Sequence, residues 1–287
     1  QLIRAGATTS GDRLMGAAVS LIENPNGFAY MMCVFLPLYL YAFQQATKKW
    51  MKLAFLACAL YSVFIVFETG SRTGMVTLIA VGAFLLPHYG RNKIKSLLFI
   101  ALAVTFIYPM TSEGNKKRFQ TIPQSMFSFL GIGEEKPKGF LNQDEQSADE
   151  RKRKNIDTWA LIKEYPAFGI GVNPNDGLIP DKFPMAKGQV HCEILAAGKQ
   201  MGFIGMGLYV GFLCTIFFSG QWVRRHAKHW PAVQDLGWTF QVQAIAIAIG
   251  GYFCPGPWHP PMMMFAGSAS ALVRILKEEQ ERREIRF

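Results

Sequence analysis

The chain has 287 residues, of which half are hydrophobic and only 17% are charged, and its formal net charge is +10. So apolar a composition excludes an ordinary soluble domain, because the apolar residues come in blocks near the length of a bilayer crossing. The basic surplus does not make a nucleic-acid binder either, since no basic stripe interleaved with aromatics is present.

Gln1–Ile22 is not apolar enough to span a membrane, and residues 1–27 read as an external segment from the charge-based topology below. Apolar stretches follow at 28–46, 51–69, 73–89, 94–110, 194–222, 236–254 and 261–276. The sixth carries no charge after its start, and the last is short and rich in Pro and Met. The expected fold class is all-α: a polytopic membrane helix bundle of about seven spans with one large external loop containing short helices. The domain organisation follows as an N-terminal part over 1–110, the loop over 111–193, and the last spans with a basic tail over 194–287.

The charges orient this bundle. Lys48, Lys49 and Lys52 follow the first stretch, and Arg91, Lys93 and Lys95 the third. Arg224, Arg225 and Lys228 follow the fifth, and Arg274, Lys277, Arg282, Arg283 and Arg286 the seventh. These clusters carry nearly all of the net charge and fall on one face, which the positive-inside rule makes cytoplasmic. The other face holds residues 1–27, Glu68–Arg72, the charge-balanced loop 111–193 and Pro255–Pro260. Cys33, Cys58 and Cys214 lie within spans and Cys192 and Cys254 near the outer face, a pattern that is neither a disulfide framework nor a metal-ligand spacing. No internal repeat, P-loop or Rossmann fingerprint is found.

Several groups on the outer face could do chemistry. Arg72 lies in Glu68-Thr69-Gly70-Ser71-Arg72-Thr73-Gly74, where the glycines permit a sharp turn or a close approach. An arginine at membrane depth is costly and marks function by default, and its planar fork suits phosphate oxygens. Its plainer role is to snorkel to the interface or to pair with Glu68. The run from Asp149 to Lys154 reads as a solvated face whose basic members could also hold an anionic head group. Ile156, Trp159, Ala160 and Ile162-Lys163 continue it as an amphipathic helix, ended by Tyr165-Pro166. Pro166-Ala167-Phe168-Gly169-Ile170-Gly171 is a turn-rich apolar hexamer. His191 stands at the water–membrane boundary before Cys192-Glu193, where a histidine can act as a general base, oriented by Glu193 if the backbone allows. His259, in Cys254-Pro255-Gly256-Pro257-Trp258-His259, is the second candidate, whereas His88, His226 and His229 fall on the cytoplasmic side.

Taken together, these pieces resemble the O-antigen ligase and polymerase superfamily of bacterial envelope glycosyltransferases. Arg13-Leu14-Met15-Gly16 with Asn24-Pro25-Asn26 resembles that family's external segment before a span, and Gly70-Ser71-Arg72-Thr73-Gly74 its Ser-Arg motif. Ser147-Ala148-Asp149-Glu150-Arg151 with the Pro166–Gly171 hexamer resembles its large-loop signature. His191 with Gly202-Phe203-Ile204-Gly205 resembles its histidine and Gly-x-x-Gly helix start. The chain departs from the pattern at Cys192, where Asn is usual, and at Lys199-Gln200-Met201, where an acid is common. It also has Asn155 where Trp commonly follows the loop arginine, which keeps Arg153 as an alternative to Arg151. Family members have more spans, which implies further helices upstream of Gln1.

The resemblance implies a donor glycan on undecaprenyl diphosphate, presented at the periplasmic face of the bacterial inner membrane. It implies that Arg72 and Arg151, or Arg153, bind the diphosphate and that His191 is the catalytic base, with Arg13 and His259 as second candidates. Neither a metal nor a cofactor is expected. The acceptor is a lipid A core sugar for a ligase, or a further lipid-linked glycan repeat for a polymerase. The alternative of another class is a transporter, for which the internal symmetry of paired broken helices is missing. The other partner is the lipid bilayer, and no nucleic acid is expected.

Overall fold

The computed structural model describes residues 8–10, 13–15, 24–89, 105, 108–109, 111–120, 143–171, 179–254 and 260–284. The chain divides into two compact units, one of Gln1–Ser112, Gly211–Gly250 and Trp258–Phe287, the other of Glu113–Val210 and Gly251–Pro257. The described elements are helices apart from one short antiparallel hairpin, β1 (Thr8–Ser10) with β2 (Arg13–Met15), in the segment read from sequence as external.

In the first unit, α1 (Pro25–Gln45) packs against α2 (Lys49–Glu68) and α3 (Arg72–Tyr89). Asn24 starts α1 by accepting the Gly27 N–H on its side chain at 2.7 Å, and Pro25 follows in the first turn, where its missing donor costs nothing. No charge interrupts α2 between Leu53 and Phe67, so nothing opposes its burial in lipid. Pro37 inside α1 withdraws one backbone donor and opens the preceding turn, where the side-chain amide of Gln243 donates to Val34 O at 3.3 Å. Gln243 belongs to α7 (Pro231–Phe253), which crosses the later part of α6 (Glu193–His226) at a pair of glycines. A Cβ on Gly237 would lie 2.7 Å from Gly220 O, so only glycine permits this backbone approach. The last helix, α8 (Pro260–Glu284), packs its Phe265 edge-on against Phe35 of α1.

Among the described residues, α1, α2 and α6 are long and apolar enough to cross a membrane, and α3 has a shorter apolar part, Arg72–Leu86. The sixth and seventh expected spans form α7 and α8. The buried Gln241 and Gln243 dilute α7, and α8 becomes charged from Arg274 onward. Most of the fourth expected span, 94–110, lies outside the described residues.

Among its described residues the second unit contains α4 (Glu113–Gln120), α5 (Gln143–Glu164), a 3-10 turn at Pro184–Ala186 and the beginning of α6. Helix α5 stops at Glu164, one residue before Tyr165-Pro166, where the sequence places its end. Leu161, Ile179 and Ala186 form one buried cluster, and Val190, Cys192 and Ala196 another.

The fifth expected span, 194–222, is not a single straight helix. Met201 (φ −134°, ψ 19°) and Gly202 (φ 63°, ψ −154°) break α6 into two arms. Sixteen residues of straight helix would set Glu193 and Tyr209 roughly 24 Å apart. Instead the Tyr209 hydroxyl donates to Glu193 Oε2 at 2.7 Å, so the arms fold back on one another. Gly198 and Gly205 make room for this, since a Cβ on Gly205 would meet Ala197 O at 2.5 Å and one on Gly198 would meet Met206 Sδ at 2.9 Å. The arm from Phe203 to His226 is about 36 Å long, which by itself exceeds a bilayer's hydrocarbon core.

Candidate active site

The first cluster of interest surrounds Arg72. Gly70, with φ +57°, turns the chain after α2, and Ser71 caps α3 by accepting the Gly74 N–H on Oγ at 3.1 Å. The same Ser71 hydroxyl donates to Asn26 Oδ1 at 2.9 Å, in the first turn of α1. A Cβ on Gly74 would lie 2.5 Å from Ala29 Cβ, so glycine is what lets α3 sit against α1. The two short motifs therefore divide the local construction between them. Asn24 caps, Pro25 starts and Asn26 ties, while Gly70 turns, Ser71 caps and ties, and Gly74 permits approach. The N-termini of two long helices are brought together, with half-buried Arg72 opening the second. Aligned peptide dipoles and a guanidinium at one point favour an anion. Arg13 lies on β2 opposite Ser10, and β2 packs against α1 and α2.

The second cluster surrounds His191. Helix α5 holds the preceding segment: Lys154 Nζ donates to Gln189 O at 3.1 Å, and Asp157 Oδ2 accepts the Met185 N–H at 3.0 Å. Half-buried His191 has its Nδ1 shielded from solvent and without a hydrogen-bond partner among the described residues. Burial, reinforced by the charges of Arg151 and Lys154, lowers its pKa from 6.5 to about 4. The imidazole is therefore neutral, and able to accept a proton, throughout the physiological range. Arg153 points elsewhere, pairing with Asp149 at 2.8 Å while 45% exposed. Of the two alternatives, it is the charge of Arg151 that acts on the histidine.

Lys154 does not stand out from its charge run in the sequence. Its spacing from Arg151, one helical turn, is the signal that could have found it. Glu193 is fully buried and accepts from Tyr209, and a Cβ on Gly251 would run into its carboxylate. Cys192 and Cys254 are both free, and burial raises the Cys192 thiol pKa. His259 lies outside the described residues.

The Pro166–Gly171 hexamer is a strap across the break in α6. The N–H groups of Ile170 and Gly171 donate to Lys199 O and Gln200 O at 2.9 and 3.0 Å, and the Phe203 N–H donates to Pro166 O at 2.7 Å. The end of one arm and the start of the next are thereby capped by one segment. Gly169 (φ +60°) and Gly202 (φ +63°) lie backbone to backbone at this crossing. Gly202→Ala should therefore lower the melting temperature in detergent sharply, because strain of roughly 1–3 kcal/mol adds to a collision with Pro166 O. Gly171→Ala is the control: its φ is +97° but the space around it is open, so it should cost only the strain. Equal melting temperatures for the two variants would contradict the strap.

These features define a helical membrane protein with an arginine at joined helix starts in its first unit and a neutral histidine flanked by cations in its second. A family model described as O-antigen ligase matches residues 57–210, over half of the chain, and the chain belongs to the O-antigen ligase family. It is a membrane glycosyltransferase of the ligase and polymerase type, acting on lipid-linked glycan. The matched stretch takes in Arg72, Arg151 and His191. No curated protein matches the chain.

Proposed function

We propose that this protein is a ligase that transfers a glycan from undecaprenyl diphosphate to an acceptor hydroxyl, at the periplasmic face of the bacterial inner membrane. The observation that carries this reading is a histidine kept neutral beside Arg151 and Lys154. Cations suit an anionic leaving group, and a neutral imidazole suits proton removal from a sugar hydroxyl. Arg72, at the joined helix starts, and Arg151 bind the diphosphate. The acceptor oxygen attacks the anomeric carbon as its proton passes to His191. The bond from that carbon to the phosphate oxygen breaks, its electron pair leaves with the diphosphate, and the configuration inverts. The arginines offset the charge that develops, so the scheme calls for neither metal nor cofactor.

In the accompanying topology, about seven spans place their basic ends in the cytoplasm and the 111–193 loop outside. The break in α6 supports an outer position for His191 in this topology, because the arm from Phe203 onward is by itself long enough to cross the membrane.

Purified full-length protein in proteoliposomes tests the reading, given an undecaprenyl-diphosphate-linked oligosaccharide and either lipid A core or a second donor molecule as acceptor. Transfer to the core with release of undecaprenyl diphosphate is the expected result. Growth of the lipid-linked glycan instead would mark a polymerase, and no release with either acceptor would contradict glycan transfer.

A further inference from the structure

We propose that Lys199 is a positioning residue for His191, its buried ammonium fixing the segment that presents the histidine against the first arm of α6. The proposal rests on the reading of His191 as the base. Lysine is seldom buried, because its charge must then be matched by polar partners. Lys199 is only 5% exposed, and its Nζ donates to Ala186 O at 2.7 Å and to Gly188 O at 2.9 Å. Both carbonyls belong to the short run that leads into His191, and Gly188 turns it with φ +73°.

The main chain of Lys199 is held in turn. Its carbonyl accepts the Ile170 N–H of the strap at 2.9 Å. One residue thus joins three segments: the strap, the α6 arm and the run before the histidine. Helix α5 grips the same run from its own side, through Lys154 to Gln189 O and Asp157 to the Met185 N–H.

The direction of these bonds separates positioning from general stability. They converge on residues 185–189, and none reaches the imidazole itself. With Nδ1 of His191 lacking a partner among the described residues, its ring orientation depends on where the backbone puts it, between the buried Val190 and Cys192. A small displacement of a reacting group is expensive in rate. Among the described residues, the charges that act on His191 are Arg151 and Lys154 on α5, and Cys192 and Glu193 adjoin it in the chain. Loosening the run admits water to the ring without removing any of them.

Lys199→Met and Lys199→Gln test this in the full-length protein, with kcat, donor KM, the pH profile and the melting temperature all measured. Lys199→Met should lower kcat by about 10²-fold at an unchanged donor KM. The acid limb should move up from near pH 4, because burial is the largest cause holding His191 there. Lys199→Gln, which keeps an N–H donor, should recover part of the rate. A folded Lys199→Met with wild-type kcat and acid limb would overturn the proposal. So would a loss that merely follows the folded fraction with the limb unmoved, or failure of both variants to accumulate, since the ammonium would then serve the fold. The outcomes separate from the parent reading: normal transfer by His191→Ala removes the base itself, whereas normal Lys199→Met beside an inactive His191→Ala removes only the role of Lys199.

Discussion

Arg72→Lys is expected to lower glycan transfer by about 10²-fold while the protein stays in the membrane. The backbone around it is built by other residues. Ser71 caps α3 and bonds to Asn26, so the starts of α1 and α3 are joined whichever residue occupies position 72. The substitution therefore leaves the local fold and the formal charge in place. What it removes is the planar fork, which can offer two parallel N–H donors to phosphate oxygens where an ammonium acts as a point charge. The loss should fall on kcat more than on donor KM, because charge on the leaving diphosphate grows as the bond breaks. Steady-state kinetics with a lipid-linked donor would decide it. Full activity in Arg72→Lys would exclude recognition through the fork and leave, at most, a role for charge alone.

His191→Ala should be the more damaging change, at about 10²–10⁴-fold, the usual contribution of a positioned base. The same group sets the pH dependence. Burial and two cations oppose its protonation, so the neutral form persists until the pH falls to about 4. The rate should be flat from about pH 5 up to neutrality and decline only below that. The donor modifies this, because a diphosphate on Arg151 cancels part of the charge that lowers the pKa. The acid limb of kcat should therefore lie at higher pH than that of kcat/KM. Coincident limbs near 6.5 in wild-type protein would contradict the buried, cation-flanked histidine. Stability follows the same sign: because the folded pKa is depressed, the contribution of His191 is present above 6.5 and is lost as pH falls toward 4.

Much of this structure is readable in the chain. Uninterrupted apolar runs locate α1, α2 and α3, and Tyr165-Pro166 locates the end of α5, because lipid burial and proline geometry are local constraints. The Gly-Ser-Arg-Thr-Gly motif also reads locally, as turn, cap and close approach. The hairpin in α6 does not. Met201-Gly202 sits in an apolar run of bilayer length, and the break depends on N–H donors from Ile170 and Gly171, far upstream. Lys199 and Lys154 are obscure for the same reason. Lys199 stands out only as a departure from a common pattern, and its partners are backbone carbonyls that no side-chain motif encodes. Arg151 and Arg153 cannot be separated by spacing, and the Asp149 ion pair separates them in space.

The mechanism turns on a neutral His191 that activates the acceptor for attack on a diphosphate-linked glycan. The decisive comparison is complementation of a cell whose own copy is deleted, with wild-type full-length protein and His191→Ala at matched membrane levels, on a size-resolved glycan gel. His191→Ala should leave polymer on its lipid carrier and none on the lipid A core. Normal attachment by His191→Ala would contradict the mechanism.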